Sequence, residues 1–356
     1  MNRELLSLEK ELLEKKKKIQ KEIAERNLRD SNLASRLTEL EILYEQGDYD
    51  KLRDKIKFLH HYVDTYESDK TIEKVDLSKA AIDFCNLEEI NFPKNWGVKS
   101  TMQPGYMSII SGGTGSGKSR LLIDVCAENI LQKKHTGIVT IEVVPGSYAI
   151  KIATMLIYKG TGQAIDYKDA KEIIKRGHKD HIERKLLVKA IGAANEYIHI
   201  MDMKRKTPQN IYSSVNFLKE ENGIQLSMLG IDYFQLMQPS KEKELSRSDK
   251  NDYMSEELGE KLLELKIPSI VISQVSQGEH KDMGENKTSG TAGLNYSPGL
   301  SHVAENIFKI YREKFEDGRY SNKFELRQVK NRDGETANYE LTQEMISGAV
   351  IRGWLP

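Results

Sequence analysis

Residues 111–119 read Ser111-Gly-Gly-Thr-Gly-Ser-Gly-Lys-Ser119, placed directly after the apolar run 106–110 and directly before a helix-like run, 120–131. Strand, glycine-rich loop and helix in that order form the setting of a phosphate-binding loop. The spacing from Gly112 through Gly117, Lys118 and Ser119 fits G-x-x-x-x-G-K-[ST]. Glycine at 113, 115 and 117 allows backbone angles and a close approach that a Cβ would forbid, so that N–H groups can turn inward. A helix starting near Gly117 aims the positive end of its dipole at the same point. Lys118 is expected to reach the β- and γ-phosphates and Ser119 to ligate Mg²⁺, with Gly112, Gly113, Thr114, Gly115, Ser116, Gly117 and Arg120 completing the cradle. The residues thus imply a site for ATP or GTP.

The charge balance narrows what else the chain does. Its 356 residues carry 54 Lys plus Arg and 54 Asp plus Glu, so the formal charge is zero and any nucleic-acid surface must be local. Only two cysteines occur, Cys85 and Cys126, far apart in sequence. That usage argues against a disulfide framework and fits a reducing compartment. Cys126, on the helix after the phosphate loop, is expected in the core. The start, Met-Asn-Arg-Glu-Leu-Leu, has no secretory apolar segment, and no run approaches the ~18 apolar residues that span a bilayer. A soluble, cytoplasmic chain with no membrane partner is expected.

Two textures divide the chain. Before Gly97 the only glycine is Gly47, and the first proline is Pro93. Leu5, Leu8, Leu12, Ile19 and Ile23 recur at three- and four-residue steps, as do Leu33, Leu37, Leu40 and Tyr44. Gly47-Asp48 offers a turn, and Tyr49, Leu52, Ile56, Leu59, Val63 and Tyr66 resume the rhythm. Residues 1–92 are therefore expected to form a helical hairpin with a narrow apolar seam, either lying on its own domain or docking a second subunit or partner. Lys15 to Lys18 make a basic run that could touch nucleic acid but fits a solvated helix face better. Residues 93–356 alternate β-type runs with helical stretches, the signature of an α/β fold. Strands are expected over 106–111, 136–143, 197–201, 227–231, 269–272, 307–311, 324–329 and 337–342.

Three strand ends carry chemistry. Asp232 closes the buried run Leu226-Ser-Met-Leu-Gly-Ile231, where a carboxylate can help hold Mg²⁺ opposite Ser119. Glu142, in Thr140-Ile-Glu-Val-Val-Pro145, can orient and deprotonate an attacking water. Ser273-Gln274 ends another strand with an amide that can sense a γ-phosphate or simply cap a turn. His178-Lys-Asp-His181 has a chelating spacing, yet without nearby Cys or a second pair it suits an ordinary surface.

These residues resemble a known family. Asp232-Tyr-Phe-Gln-Leu-Met237 is similar to the Asp-Tyr-x-Gln-Leu-Met element of DnaB-type hexameric replicative helicases, and Ser273-Gln274 to their Ser-Gln motif. Ile141-Glu-Val-Val-Pro145 resembles Leu-Glu-Met-Pro, residues 304–312 resemble Ala-Asp-x-Ile-x-x-x-Tyr-Arg, and Lys330-Asn-Arg-Asp-Gly334 resembles Lys-x-Arg-Asn-Gly. Met102-Gln-Pro-Gly105 stands ahead of the phosphate loop as in the family, and the likeness covers roughly residues 90 to 345. It implies an α/β fold of the RecA-like P-loop ATPase type behind an N-terminal helical hairpin. A homohexameric ring is also implied, hydrolysing ATP with Mg²⁺ between subunits and moving 5′ to 3′ on single-stranded DNA in its channel.

Carried over by residue, the likeness makes Lys118 and Ser119 phosphate and Mg²⁺ ligands, Asp232 the metal support, Glu142 the base and Gln274 the sensor. Arg332 would be an arginine finger reaching a neighbour's site, with Lys330 assisting; spacing alone favours a hairpin-turn residue. Residues 275–300 exceed an ordinary connector. By position they resemble the family's DNA-contacting loops, where Lys281 and Lys287 could grip phosphates, diluted by Glu279, Asp282 and Glu285. The chain departs from the family in its short N-terminal part, so a primase or loader partner does not carry over. Val143-Val144 also adds one residue before Pro145. A RecA-type recombinase and a ring-forming regulator or loader share the phosphate loop and are the competing readings.

Overall fold

The computed structural model of the chain describes residue 46 and residues 77–141, 143–176, 182–201, 203–240, 247–275, 298–344 and 346–352. Two units divide the chain, Met1–Ile82 and Asp83–Pro356, and nearly all described residues lie in the second. The expected hairpin therefore falls outside the described residues, apart from the exposed helix α1, Leu77–Cys85, at its end.

Nine strands form one sheet, in the order β11 (Val350–Arg352), β10 (Asn338–Gln343), β9 (Lys323–Asn331), β8 (Asn306–Tyr311), β3 (Met107–Gly112), β7 (Ser269–Gln274), β6 (Met228–Asp232), β4 (Thr136–Thr140), β5 (Ile198–Met201). From β8 to β5 the neighbours run parallel; β9, β10 and β11 continue the sheet antiparallel. A second, two-stranded pair, β1 (Ile90–Asn91) and β2 (Thr101–Met102), leads into it.

Parallel strands are covered on both faces, which is why they read as unbroken apolar runs. Alternate side chains feed opposite cores. Ile110, Ile138, Met228, Ile270 and Phe308 meet α2 (Lys118–Leu131), α3 (Pro145–Thr161) and α5 (Ile182–Tyr197), with α4 (Tyr167–Arg176) at the margin. Their neighbours Ile109, Val139, Leu229, Val271 and Ile307 meet α6 (Pro208–Asn222), α7 (Arg247–Leu265) and α8 (Pro298–Val303). Cys126 lies in the first core, fully buried.

The phosphate-loop helix is fixed from behind by a buried carboxylate. Asp124 of α2 accepts from the Trp96 indole at 2.7 Å and pairs with Lys159 of α3 at 2.8 Å. Burial raises the Asp124 carboxyl, and the Lys159 charge opposes that rise. Trp96, Ile90 and Phe92 all belong to this core, so residues 90–92 pack with the α/β unit although the sequence reading assigned them to the N-terminal part.

Each of the eight expected strands is present, with ends shifted by a few residues. The largest shift concerns β4, which stops at Thr140 and not at 143. The Thr140 hydroxyl donates to the Val143 carbonyl at 2.5 Å, closing a turn that pulls the chain out of the sheet. Pro145 then opens α3, its missing N–H falling where a helix needs no partner.

Candidate functional site

The loop between β3 and α2 is built as the sequence requires. Gly115 and Gly117 sit at φ +80 and +105, backbone angles that side-chain-bearing residues rarely adopt. Gly117 caps α2, whose first residue is Lys118. Lys118 is 7% exposed, and its ammonium donates to the carbonyls of Gly112 at 2.9 Å and Gly113 at 2.7 Å. Ser119 and Arg120 follow on the first turn, partly exposed. Ser116 is buried, and its hydroxyl is an orphan among the described residues.

The loop opens at the carboxyl edge of the parallel strands, where such sheets bind ligands. Gly112 is in register with Gln274 of β7, and Asp232 of β6 with Thr140 of β4. Thus β7 stands between the loop strand and the Asp232 strand, closer than sequence order suggests. Gln235 ties the two motifs together: its side-chain N–H₂ donates to Ser273 Oγ at 2.8 Å and to the Gln274 carbonyl at 3.1 Å, while its oxygen accepts the Gln274 N–H at 3.1 Å. Asp232 is 5% exposed and accepts a hydrogen bond from the Tyr148 hydroxyl. Glu142 lies outside the described residues, between Ile141, whose N–H donates to the Asp232 carbonyl at 3.1 Å, and Val143.

Residues with no role in the sequence reading complete the loop's surroundings. Arg312, just beyond β8, donates to the Ser116 carbonyl at 3.2 Å and to Gln343 at 2.7 Å. Tyr320 donates to the Thr114 carbonyl at 2.7 Å. Burial lowers the Arg120 and Arg312 guanidiniums, against the pull of Asp166 and Glu344 on Arg120, and the Arg120 charge lowers Arg312 further. The Tyr-Arg end of the 304–312 motif was the available signal for Arg312; nothing in the sequence pointed to Tyr320.

Arg332 stands elsewhere. It follows β9, whose last residue, Asn331, pairs with Asn306 at the start of β8; Asn306 in turn pairs with Ser108 near the start of β3. Its guanidinium donates to the His302 carbonyl at 3.2 Å and lies 5.7 Å from the Tyr106 ring. Lys330 donates to the Ser301 carbonyl at 2.7 Å, and burial followed by the Arg332 charge lowers its ammonium. These groups mark the amino edge of β3, whereas the phosphate loop leaves its carboxyl edge. Six residues separate the two edges, about 20 Å at roughly 3.3 Å per residue. Arg332 and Lys118 of one chain are not parts of one site.

Beside Arg332, Glu305 is buried, and burial followed by a hydrogen bond that its protonated carboxyl donates to the Asp333 carboxylate pushes it up to about 8. A raised carboxyl favours the protonated fold, so its stabilisation is complete below about 4.5 and lost as pH rises through about 8. Glu305→Gln has no proton to lose. Thermal melts across that window are expected to show wild type declining relative to this variant; parallel curves would remove Glu305 as a titrating group.

The residues present fit a nucleoside triphosphate with Mg²⁺. Positive-φ glycines, an ammonium held by loop carbonyls and the orphan Ser116 hydroxyl suit phosphate oxygens, and Ser119 with Asp232 offers the hard oxygen donors that Mg²⁺ takes. Lys281 and Lys287 lie outside the described residues, as do His178 and His181. Among the described residues no group of three or more His, Cys, Asp or Glu could hold a metal, and no helix is long and apolar enough to cross a membrane.

Comparison with known proteins gives the same grouping. Residues 97–346 match the DnaB-like helicase C terminal domain. Replicative DNA helicase DnaC of Bacillus subtilis (strain 168) is 23% identical over 301 residues, 77% of this chain and 63% of that protein. Replicative DNA helicase DnaB of Geobacillus stearothermophilus is 23% identical over 245 residues, 68% of this chain and 51% of that protein. The chain thus spans between half and two thirds of the length of these relatives. A solved ATPase domain superposes with a TM-score of 0.65 at 20% identity, covering 79% of this chain and 99% of that one. A DnaB-like replicative helicase, solved in a study of its interactions with primase, gives 0.66 at 18%, covering 89% and 76%. These likenesses show the RecA-like fold expected from the motifs. On the match over residues 97–346, the chain belongs to the family of the DnaB-like helicase C-terminal domain.

Proposed function

We propose that this chain is the motor of a ring-forming replicative DNA helicase, hydrolysing ATP to move 5′ to 3′ on single-stranded DNA and separate duplex strands. The observation that carries this reading is the separation of Arg332 from the phosphate loop within one chain, at opposite edges of β3. A catalytic arginine placed there serves a neighbour, and a homohexamer supplies neighbours in a closed cycle.

Each residue then has a task. Lys118 exchanges the Gly112 and Gly113 carbonyls for β- and γ-phosphate oxygens, and the N–H groups of residues 113–119 complete the cradle. Ser119 and Asp232 hold Mg²⁺, which when bound neutralises phosphate charge. Glu142 accepts the proton of the attacking water. Gln274, held by Gln235 at the edge facing Gly112, senses the γ-phosphate and relays its state into residues 275–297, where Lys281 and Lys287 meet DNA phosphates. Arg332, assisted by Lys330, offsets charge on the transferring phosphoryl group of the adjacent subunit. The α/β unit, residues 90–92 included, forms the motor, and the segment before it a reduced collar between subunits. The working place is the cytoplasm, and single-stranded DNA and further copies of this chain are the expected partners.

ATP turnover with and without single-stranded DNA, together with negative-stain imaging, tests this reading. Closed rings, DNA-stimulated turnover and strand separation are the expected results. DNA-coated filaments would replace it with a recombinase, and bound nucleotide without turnover with an assembly switch.

A further inference from the structure

Asp232 is gripped twice by one short segment. Its backbone carbonyl accepts the Ile141 N–H at 3.1 Å, and its side-chain Oδ2 accepts the Tyr148 hydroxyl. Tyr148 lies on the first turn of α3 and is 1% exposed. Glu142 sits in sequence between these two anchors, and so does the added residue of Val143-Val144. Just before α3 the Thr140 hydroxyl closes a turn onto the Val143 carbonyl.

We propose that Tyr148 is a positioning residue that fixes the carboxylate of Asp232. With Oδ2 held by the phenol, Oδ1 is the oxygen left to meet a cation, and the carboxylate cannot swing between orientations. The phenol is suited to this hold, because its ring is packed in the core and 1% exposed. This inference rests on the role proposed for Asp232.

Tyr148→Phe removes the hydroxyl and keeps the ring. A lost hydrogen bond to a charged group corresponds to a change of roughly 10- to 100-fold. The expected result is a fall in kcat of about that size with KM for ATP changed less than about threefold, since the phosphate loop is untouched. The Mg²⁺ concentration for half-maximal binding of a fluorescent ATP analogue, read without turnover, is expected to rise about tenfold. Tyr148→p-aminophenylalanine restores a donor at the same reach and is expected to recover both quantities; it also serves if the Phe variant does not fold. In a double-mutant cycle, Tyr148→Phe is expected to add nothing to Asp232→Asn. Unchanged kcat and Mg²⁺ half-saturation in Tyr148→Phe would overturn the positioning role, as would additive losses in the cycle. Absence of Mg²⁺-dependent nucleotide binding in wild type would instead overturn the nucleotide reading itself.

Discussion

Lys118→Ala is expected to lower ATP hydrolysis by about 10³-fold or more while the α/β core stays folded. In the resting structure the ammonium is turned back onto two loop carbonyls, those of Gly112 and Gly113. A bound triphosphate presents several negative oxygens at the same place, and removing the cation leaves their repulsion unopposed. The neighbouring cations are already committed: Arg312 is engaged by the Ser116 carbonyl and Gln343, and Arg120 stands beside Asp166 and Glu344. The structural cost is smaller. Two carbonyls lose a donor, each worth about 1–3 kcal/mol if left without water, and the loop is near enough to solvent for water to replace it. Phosphate release and thermal unfolding measured on one preparation check both halves. Turnover near wild type would remove residues 112–119 as the hydrolytic site, and a collapsed melting transition would show that Lys118 acts through folding.

Much of this site was legible because its parts are local in sequence. A phosphate loop is one continuous stretch whose glycines and lysine are dictated by the ligand, so reading residues 111–119 needed no tertiary information. The six parallel strands announced themselves by largely apolar runs, since both faces are covered, and β9 and β10 by the alternation of strands with one more exposed face. Strands β1, β2 and β11, of two or three residues, are too short to carry a period.

Contacts between distant segments were not legible. Trp96 meeting Asp124, Tyr148 meeting Asp232, and Tyr320 meeting Thr114 depend on how helices and hairpins fold back, which no spacing encodes. The insertion of β7 between β3 and β6 is likewise a property of sheet order. The motifs that named Asp232 and Gln274 did contain the residue that links them, Gln235, but only the geometry gave it that task. Glu142, Lys281 and Lys287, together with the N-terminal hairpin, lie outside the described residues, and their roles rest on the sequence and the family.

Arg332→Ala is expected to bind ATP normally and to hydrolyse it about 10³-fold more slowly, with activity recoverable by mixing. The geometry makes this forecast sharp. A hairpin-turn residue whose guanidinium merely meets the His302 carbonyl and the Tyr106 ring would cost little catalysis when removed, because exposed contacts of that kind contribute weakly. An arginine serving catalysis from about 20 Å away within its own chain has no physical route, so a large loss requires a second subunit. Lys118→Ala chains keep an intact Arg332, and Arg332→Ala chains keep an intact phosphate loop. Co-assembly therefore places a working loop against a working finger at a fraction of the interfaces. Activity is expected to return on mixing, to rise with total protein concentration, and to stay absent in either variant alone. If subunit exchange is verified and no activity returns, or if Arg332→Ala turns over like wild type, catalysis does not cross the boundary through this residue. The positive charge for the transferring phosphoryl group must then come from the carboxyl edge of the same chain, where Arg120 and Arg312 already stand beside the loop.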